Sequence, residues 1–510
     1  MKGFLETLTE INNQINNFVW VQIGLVLLIG TGIVMTTITG FFQVSHLRHW
    51  WKKTVGGVFH KDTHVKTEKG AVSQFQALCT ALAATIGTGN IAGVSAAIVI
   101  GGPGAVFWMW VAAFFGMMTI YSENVLGIFY RQKNNEGEWS GGAMYYLRDG
   151  LGKTVGYEKI GKVLAVLFCI FATLASFGIG NLGQINKIVM NMESAFFSGL
   201  QPVYAFDNVT WISIIMGIVL MVIGGLIILG GLERIAAVSE KVVPFMAIAY
   251  IIGSLVIFCC HITSVGAIFT SIFKFAFGVK AVGGAAAGIA IKTVITAGCK
   301  RGVFSNEAGL GSSVMVNSCS NVNEPVKQGM WGIFEVFADT FVVCTMTAIV
   351  VLSSGYIDLE TGLPVEGVND ATLVAQAFGD IFGKPGEWFV AIAVLLFAFT
   401  TVLGWSQYGT KAIEFLFGIN ATKVYKVIFV LMITTGAMMT SSIAWDISDT
   451  FNGLMMLPNL VGVIALSPIV VKITRNYVAR KIKGQDVEPI LSNDPQIQAK
   501  AAEAVKNGED

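Results

Sequence analysis

The residues with the clearest capacity for binding chemistry lie in the stretch Ile86–Asn90, where Gly-Thr-Gly-Asn interrupts a long apolar run. Glycine and asparagine are poor helix formers, so the pattern predicts that a helix breaks here. In a bilayer, non-helical backbone occurs only where protein buries it or where it lines a cavity. The N–H groups that begin the second half would suit a carboxylate, and the carbonyls that end the first half would suit a cation. A glycine packing face is the alternative interpretation.

A second stretch, 302–313, concentrates Ser, Asn, Glu and Gly in the way expected of another helix break. The glycine-rich stretch 283–288 is a competing candidate in the same part of the chain. We favour 302–313, because apolar segments of half-helix length, 285–299 and 310–319, flank it on both sides. An ordinary loop after a Lys-Arg pair is the plainer interpretation of the same residues.

Two further apolar segments contain side chains that are suited to binding. Thr400 and Thr401 offer hydroxyl oxygens, and hard cations prefer oxygen ligands. Thr401 and Trp405 are four residues apart and therefore lie on the same face of a helix. The glycines and amides of the segment Phe177–Gln184 are expected to break an otherwise apolar helix, which suits the wall of a cavity. Hydroxyl bonds to the helix's own carbonyls and a tryptophan at the membrane interface are the alternatives.

Ionisable side chains inside apolar segments are costly in a membrane and usually have a function. The sequence places six in such segments: Glu123, Lys187, Lys292, Glu335, Asp339 and Asp446. Glu335 and Asp339 are one helical turn apart and share a face. Pairing between helices, or snorkelling to the membrane edge, would explain these residues without a binding role.

The composition is that of a membrane protein. Hydrophobic residues make up 54% of the 510 residues, charged residues make up 13%, and the mean hydropathy is +0.68. Soluble domains average roughly 25% charged residues. A net charge of +1 without a basic stripe gives no reason to expect a nucleic-acid partner. The seven cysteines form no Cys-x-x-Cys pair, and no metalloprotease or nucleophile motif is present, which argues against a zinc site and against an enzyme.

A membrane-spanning helix needs about 20 mainly apolar residues. Eleven segments meet this requirement, near 18–42, 72–100, 104–130, 161–190, 211–230, 241–262, 284–320, 328–354, 388–410, 423–443 and 452–472. With the N-terminus outside, the inner connections hold 27 of the 33 Lys and Arg, the outer segments hold 4, and two fall within spans. Because Lys and Arg concentrate on the cytoplasmic side, we expect an outer N-terminus and a cytoplasmic C-terminus in the cell membrane.

Once the first span is set aside, two groups of five spans remain, at 72–263 and 264–472. An odd number of spans in each group gives the groups opposite orientations, which is the plan of an inverted five-plus-five repeat with broken helices. The predicted fold is therefore an all-α membrane protein of eleven transmembrane helices. Residues 1–71 would form an extra N-terminal helix and a cytoplasmic loop, and 473–510 would form a solvated cytoplasmic tail.

Four motifs carry a resemblance to a known family: Thr85–Gly93, Gly101–Trp110, Lys300–Ser312 and Thr401–Trp405. They resemble the alanine or glycine:cation symporter family, and the resemblance extends over about 18–470. It implies uptake of alanine or glycine with Na⁺, or in some members with H⁺, by alternating access. It also implies the leucine-transporter type of fold with one extra helix. Some members of the family carry glutamine.

The resemblance also implies roles for individual residues. The substrate would be bound by residues of the first break and of the surrounding helices, namely Gly87, Thr88, Gly89, Asn90, Phe177, Gln184, Phe304, Thr401 and Trp405. The carboxylate would meet Thr88, Gly89 and Asn90, and Thr401 with Trp405 would close on the small side chain. By analogy with the wider fold, Na⁺ would be bound by backbone carbonyls and hydroxyls, those of Ala83, Ile86, Phe397, Thr400 and Thr401.

The expected partners are a small amino acid, a monovalent cation and the lipid bilayer. No cofactor is expected, because Na⁺ is a transported ion. A channel with broken helices and a sensor that binds without moving its ligand are the competing function classes. The oligomeric state is not predicted by these patterns.

Overall fold

The computed structural model describes residues 2–60, 63–64, 70–154, 156–199, 201–206, 208–277, 291–368, 372–439 and 443–507. The protein is mostly helical. The α-helices of ten or more residues are Lys2–Asn16, Leu25–Ile38, Gln74–Thr85, Gly104–Phe129, Glu158–Phe177, Gly183–Phe196, Trp211–Ile228, Gly231–Cys260, Val265–Phe275, Ile291–Asn306, Pro325–Val336, Leu373–Phe382, Lys384–Phe417, Ile419–Ala437, Ile443–Ala465, Ser467–Tyr477 and Pro495–Lys506.

Shorter elements connect or extend these helices. The short α-helices are Phe42–Ser45, Leu47–Lys53, Val94–Gly101, Ala143–Tyr145, Val314–Asn317 and Thr345–Ser353. Wide π turns lie at Asn17–Gly24, Gly89–Gly93, Tyr146–Gly150, Gly178–Leu182, Phe337–Cys344 and Val478–Ile482, and 3₁₀ turns lie at Gly57–Phe59, Leu151–Lys153 and Ile262–Ser264. Two antiparallel hairpins pair Gln132–Lys133 with Trp139–Ser140 and Tyr204–Phe206 with Val209–Thr210.

Seven helices among the described residues are long and apolar enough to cross a membrane: Thr9–Ile38, Gly104–Phe129, Glu158–Phe196, Trp211–Ile228, Gly231–Cys260, Pro325–Ser353 and Lys384–Phe417. Two helix pairs also qualify if each is one bent span, at 53° for Gln74–Thr85 with Gly89–Gly101 and at 58° for Asp446–Ala465 with Ser467–Ile482. The chain is therefore a multi-pass membrane protein. The predicted segment 284–320 begins outside the described residues, and the count of eleven and the inverted repeat stay predictions.

The first bent pair, which we call the first broken helix, begins and ends for local reasons. Ser73 and Gln76 form a capping box, in which each side chain accepts a hydrogen bond from the other residue's backbone N–H. The helix ends at Thr85, because Ile86 adopts an extended conformation with φ −77° and ψ 93°. Helical structure resumes at Gly89. The predicted break at Ile86–Asn90 is therefore present in the structure.

Two predicted boundaries differ from the structure. The sixth span starts at Gly231 instead of 241: Gly231, with a φ of +76°, begins the helix, and the charged residues Glu233 and Arg234 lie in its first turn. The predicted interruption at Phe177–Gln184 is wrong as a break. The helix Glu158–Phe196 continues through this segment with a π turn at Gly178–Leu182, and a π turn keeps the backbone within the hydrogen-bonded helix.

The C-terminal segment packs against the helices. Arg480 donates two hydrogen bonds, of 2.6 and 2.9 Å, to the buried carboxylate of Glu324. The Asn493 backbone N–H donates to the Phe129 carbonyl at 2.9 Å. Ile497 packs against the apolar cluster that contains Trp139. The prediction of a solvated tail is therefore wrong for these residues, because a few apolar and paired side chains anchor a segment whose composition is polar.

Candidate functional site

The backbone of the first break is held by the side chain of Asn90. The Gly87 N–H donates to Asn90 Oδ1 at 2.9 Å, and the Asn90 N–H donates to the Gly87 carbonyl at 3.3 Å. This short turn gives hydrogen-bond partners to the N–H and the carbonyl of Gly87, which lie in the non-helical backbone of the break. Asn90 therefore shapes the break, and its side chain oxygen is already engaged by the backbone.

The second break lies where the sequence predicted it, within 302–313. The helix Ile291–Asn306 ends there, and Asn306 Oδ1 accepts a hydrogen bond from the Ala308 N–H at 3.0 Å. Glu307 follows with a φ of +55°, a left-handed conformation that non-glycine residues rarely adopt. Helical structure resumes only in Val314–Asn317, which is much shorter than the predicted half-helix. The competing stretch 283–288 lies outside the described residues.

Asp339 connects the two breaks. It lies in the π turn Phe337–Cys344 of a neighbouring helix and has no exposed surface. Its carboxylate accepts hydrogen bonds from Asn90 Nδ2 at 2.6 Å and from Ser305 Oγ at 2.9 Å. The Thr340 hydroxyl also donates to it, at 2.9 Å. One buried carboxylate therefore joins the turn of the first break to the end of the helix before the second break. The sequence marked Asp339 as costly but did not indicate this role.

A small cavity lies between the two breaks. Its walls contain residues of both breaks and of three other segments: Ala84, Thr85, Gly87, Gly89, Ile179, Gln184, Phe304, Glu307, Thr401, Trp405 and Asn452. A Cβ added to Gly89 would lie 3.2 Å from the Phe304 ring, so the two breaks face each other closely. Polar and aromatic groups of both breaks therefore converge on one small space.

The cavity contains six of the predicted substrate-binding residues: Gly87, Gly89, Gln184, Phe304, Thr401 and Trp405. Thr88 is adjacent, because its hydroxyl donates to Gln184 Oε1 at 3.0 Å.

Phe177 and Asn90 are not among the cavity residues. The Phe177 ring packs against Tyr425 and Phe429, with centroid distances of 5.2 and 5.9 Å. Glu307 and Asn452 line the cavity although neither was predicted to bind substrate. Glu307 could have been identified from the sequence as an acidic residue inside the predicted break 302–313.

The long helix Lys384–Phe417 packs directly on the first broken helix. A Cβ added to Gly404 would lie 2.6 Å from Ala84 Cβ, and one added to Gly87 would lie 2.5 Å from Thr401 Oγ1. These contacts leave no room for side chains at either glycine. The close packing places the Thr401 hydroxyl beside the backbone of the first break.

Three of the oxygen atoms predicted to bind a cation, those of Ile86, Phe397 and Thr401, meet at this contact. The Thr401 hydroxyl lies 3.0 Å from the Phe397 carbonyl and 3.4 Å from the Ile86 carbonyl. The Thr400 hydroxyl shares the Phe397 carbonyl at 3.0 Å. Ala83 is buried in the same apolar cluster as Ile86 and Phe397.

The atoms that meet at this contact are hydroxyl and carbonyl oxygens. Hydroxyl and carbonyl oxygens are suitable ligands for a hard cation. Among the described residues, no three His, Cys, Asp or Glu side chains are grouped as metal ligands. The donors that meet at this contact are therefore neutral oxygens.

The fold is similar to that of a solved structure. The crystal structure of MhsT in complex with L-phenylalanine matches with a TM-score of 0.52 and 14% identity, over 80% of this chain and 99% of that chain. This likeness concerns the fold alone. Together with the broken helices around a cavity, it defines a membrane protein of the leucine-transporter type of fold.

The sequence matches the sodium:alanine symporter family over residues 5–490, and the chain belongs to this family. It is 42% identical to the sodium/alanine symporter AgcS of Methanococcus maripaludis, over 91% of this chain and 96% of the relative. It is 33% identical to the probable sodium/glutamine symporter GlnT of Bacillus subtilis, over 97% of this chain and 95% of the relative. The protein is thus a member of a family of cation-coupled amino-acid symporters, which are transporters and not enzymes.

Proposed function

We propose that the protein takes up a small neutral amino acid, alanine or glycine, together with Na⁺ by alternating access. The observation that carries the proposal is that the cavity and the group of neutral oxygens share Thr401 and the first break. Binding of either ligand would order the same unwound backbone. Each ligand would therefore raise the affinity for the other, since thermodynamic coupling is reciprocal.

The walls of the cavity support a small zwitterionic substrate. The carboxylate would lie at the start of the second half-helix, near Thr88 and Gly89, where backbone N–H groups and the helix dipole favour an anion. Phe304, Ile179 and Trp405 form bulky apolar walls that leave little room for a side chain. The name of AgcS, a sodium/alanine symporter, supports the same substrate and the same ion. The name of GlnT supports glutamine as the competing substrate.

The orientation and the domain plan belong to the same proposal. The N-terminus would lie outside the cell membrane and the C-terminus in the cytoplasm, with repeats at 72–263 and 264–472. The distribution of Lys and Arg supports the orientation.

Uptake of labelled alanine into proteoliposomes tests the proposal directly. We expect accumulation against a concentration gradient when an inward Na⁺ gradient is imposed, and none with an equal K⁺ gradient. Accumulation that requires a pH gradient instead would indicate H⁺ coupling, and stronger competition by glutamine than by glycine would indicate a glutamine carrier. Flux without accumulation would support a channel, and binding without flux would support a sensor.

Gly180→Ala is expected to slow alanine uptake by about tenfold, a change that corresponds to roughly 1.4 kcal/mol. The added methyl group would lie 2.5 Å from Trp405 Cγ, so the indole must move into the cavity or away from it. Initial uptake rates at saturating Na⁺ measure the effect. Gly199→Ala is the matched control, because an added Cβ there meets no atom within 4 Å. Equal rates for the two variants would contradict the placement of Trp405 against the substrate.

A further inference from the structure

Glu307 is a buried carboxyl group in the wall of the cavity, at the residue where the second broken segment leaves the helix. It is 2% exposed and has a φ of +55°. Non-glycine residues in this conformation are strained, and such strain persists where the surroundings hold it and is concentrated at functional sites. The surrounding structure therefore holds the Glu307 side chain in the wall of the cavity although its backbone conformation is unfavourable.

The immediate surroundings of Glu307 provide hydrogen bonds but no positive charge. The Ser312 hydroxyl donates to Oε2 at 2.6 Å, and the Tyr408 hydroxyl and Trp405 indole lie beside the carboxyl. No Lys or Arg among the described residues forms an ion pair with it; the buried Lys of this region pairs with other acids. The charged neighbours on the packed helices are themselves acidic: Asp339, Glu335 and Glu123. Arg301, on the helix that ends before Glu307, lies over the Phe304 ring, with its guanidinium carbon 5.8 Å from the ring centroid.

The local electrostatic field at this end of the cavity therefore favours a cation. Asp339 is already satisfied by three donors from the protein, and Glu335 Oε1 and Glu123 Oε2 have no partner within the described part of the chain. Only Glu307 of these four lines the cavity. A buried carboxylate without a basic partner is strongly disfavoured, and a ligand that brings a positive charge would relieve this.

We propose that Glu307 binds the ammonium group of the substrate and so restricts the site to amino acids. The inference rests on the proposed function and adds the residue that recognises the positive end of the zwitterion. The first break at Thr88 and Gly89 would hold the carboxylate, and the second break would hold the ammonium group. An analogue without the ammonium group would leave the buried carboxylate of Glu307 unpaired. The site should therefore bind amino acids much more tightly than such analogues.

Alanine and lactate form the discriminating pair of probes, because they share the carboxylate and methyl groups and differ in the ammonium. Binding of each to the purified full-length protein is measured at saturating Na⁺. We expect Glu307→Gln to weaken alanine binding by roughly 10- to 100-fold, as expected for a lost hydrogen bond to a charged group. Lactate binding should change less than about twofold, so that the preference for alanine collapses.

Two control variants make the result decisive. Glu335→Gln, a buried carboxyl outside the cavity that accepts from Asn317 at 3.3 Å, should keep the wild-type preference. Glu307→Asp keeps the charge and should retain a clear preference for alanine, even where Glu307→Gln yields too little folded protein. Alanine binding by Glu307→Gln equal to that of the wild type would overturn the inference, because glutamine imitates a permanently protonated carboxyl.

Equal weakening of alanine and lactate would also overturn the inference, because it would show that Glu307 only shapes the cavity. Failure of the proposed function gives a different result. If the wild-type protein binds no small amino acid with or without Na⁺, both proposals fall. If the wild type binds alanine and the preference survives in Glu307→Gln, only the role of Glu307 falls.

Discussion

Asp339→Asn is expected to slow alanine uptake by at least about tenfold and to destabilise the protein by roughly 1–3 kcal/mol. Asp339 accepts hydrogen bonds from Asn90 at 2.6 Å and from Ser305 at 2.9 Å, within a site that has no exposed surface. An asparagine has one acceptor oxygen, and its amide group would oppose one of these donors. The opposed donor loses its partner in a place that water does not reach, which carries the full cost of desolvation.

The loss would extend to the cavity, because Asn90 also holds the Gly87 N–H through its Oδ1 atom. Uptake in proteoliposomes and the melting temperature in detergent measure the two effects. Asp358→Asn is a suitable control, because this carboxylate is exposed and accepts hydrogen bonds from its own loop, from the Glu360 N–H and the Thr361 hydroxyl. Its melting temperature should stay close to that of the wild type. Wild-type uptake by Asp339→Asn would show that the two breaks do not depend on this carboxylate.

The features that could be predicted from the sequence are those with a local cause. The break at Ile86–Asn90 follows from low helix propensity within an apolar run, and the structure has the helix end at Thr85. The four-residue spacing of Thr401 and Trp405 predicts that they lie on the same face of a helix, and both line the cavity. The close packing of Gly404 against Ala84 determines how near this face of the helix Lys384–Phe417 lies to the first break.

The remaining features depend on how distant segments meet. The π turn begins directly after Phe177. A π turn adds one residue to a helical turn and therefore changes which side chains share a face. Phe177 packs against Tyr425 and does not line the cavity. Asn90 was predicted to meet the substrate, but Asp339, 249 residues away, accepts from its amide. Asn452 reaches the cavity from a C-terminal helix. Residue type and spacing within one segment contain no information about these contacts.

Coupling between ion and substrate would follow from the same geometry. The Ile86 carbonyl ends the first half-helix, and the Gly87 N–H lies one residue further along the chain. A cation that draws the carbonyl toward Thr401 therefore constrains the backbone that faces the cavity. No long pathway is needed, because both ligands would act on one short unwound segment. An equal affinity for alanine with and without Na⁺ would rule out this form of coupling.

Thr401→Val is expected to raise the Na⁺ concentration for half-maximal uptake by about tenfold or more. Valine keeps the methyl group and the branched shape but removes the oxygen that lies 3.0 Å from the Phe397 carbonyl and 3.4 Å from the Ile86 carbonyl. Because the lost group is an ion ligand in the proposal, the defect should shrink as Na⁺ is raised. Alanine affinity should fall strongly at low Na⁺ and approach that of the wild type at high Na⁺, as reciprocal coupling requires.

Thr410→Val on the same helix is the control. It distinguishes the loss of an ion ligand from the general effect of removing a buried hydroxyl group. The Thr410 hydroxyl donates to the Ser406 carbonyl of its own helix at 2.6 Å, two turns or more from the first break. Its sodium dependence should match that of the wild type. If Thr401→Val reduced the maximal rate at every Na⁺ concentration without shifting the half-maximal point, Thr401 would serve the substrate cavity alone. The cation would then have to bind elsewhere, because the Ile86 and Phe397 carbonyls would lack the hydroxyl that joins them.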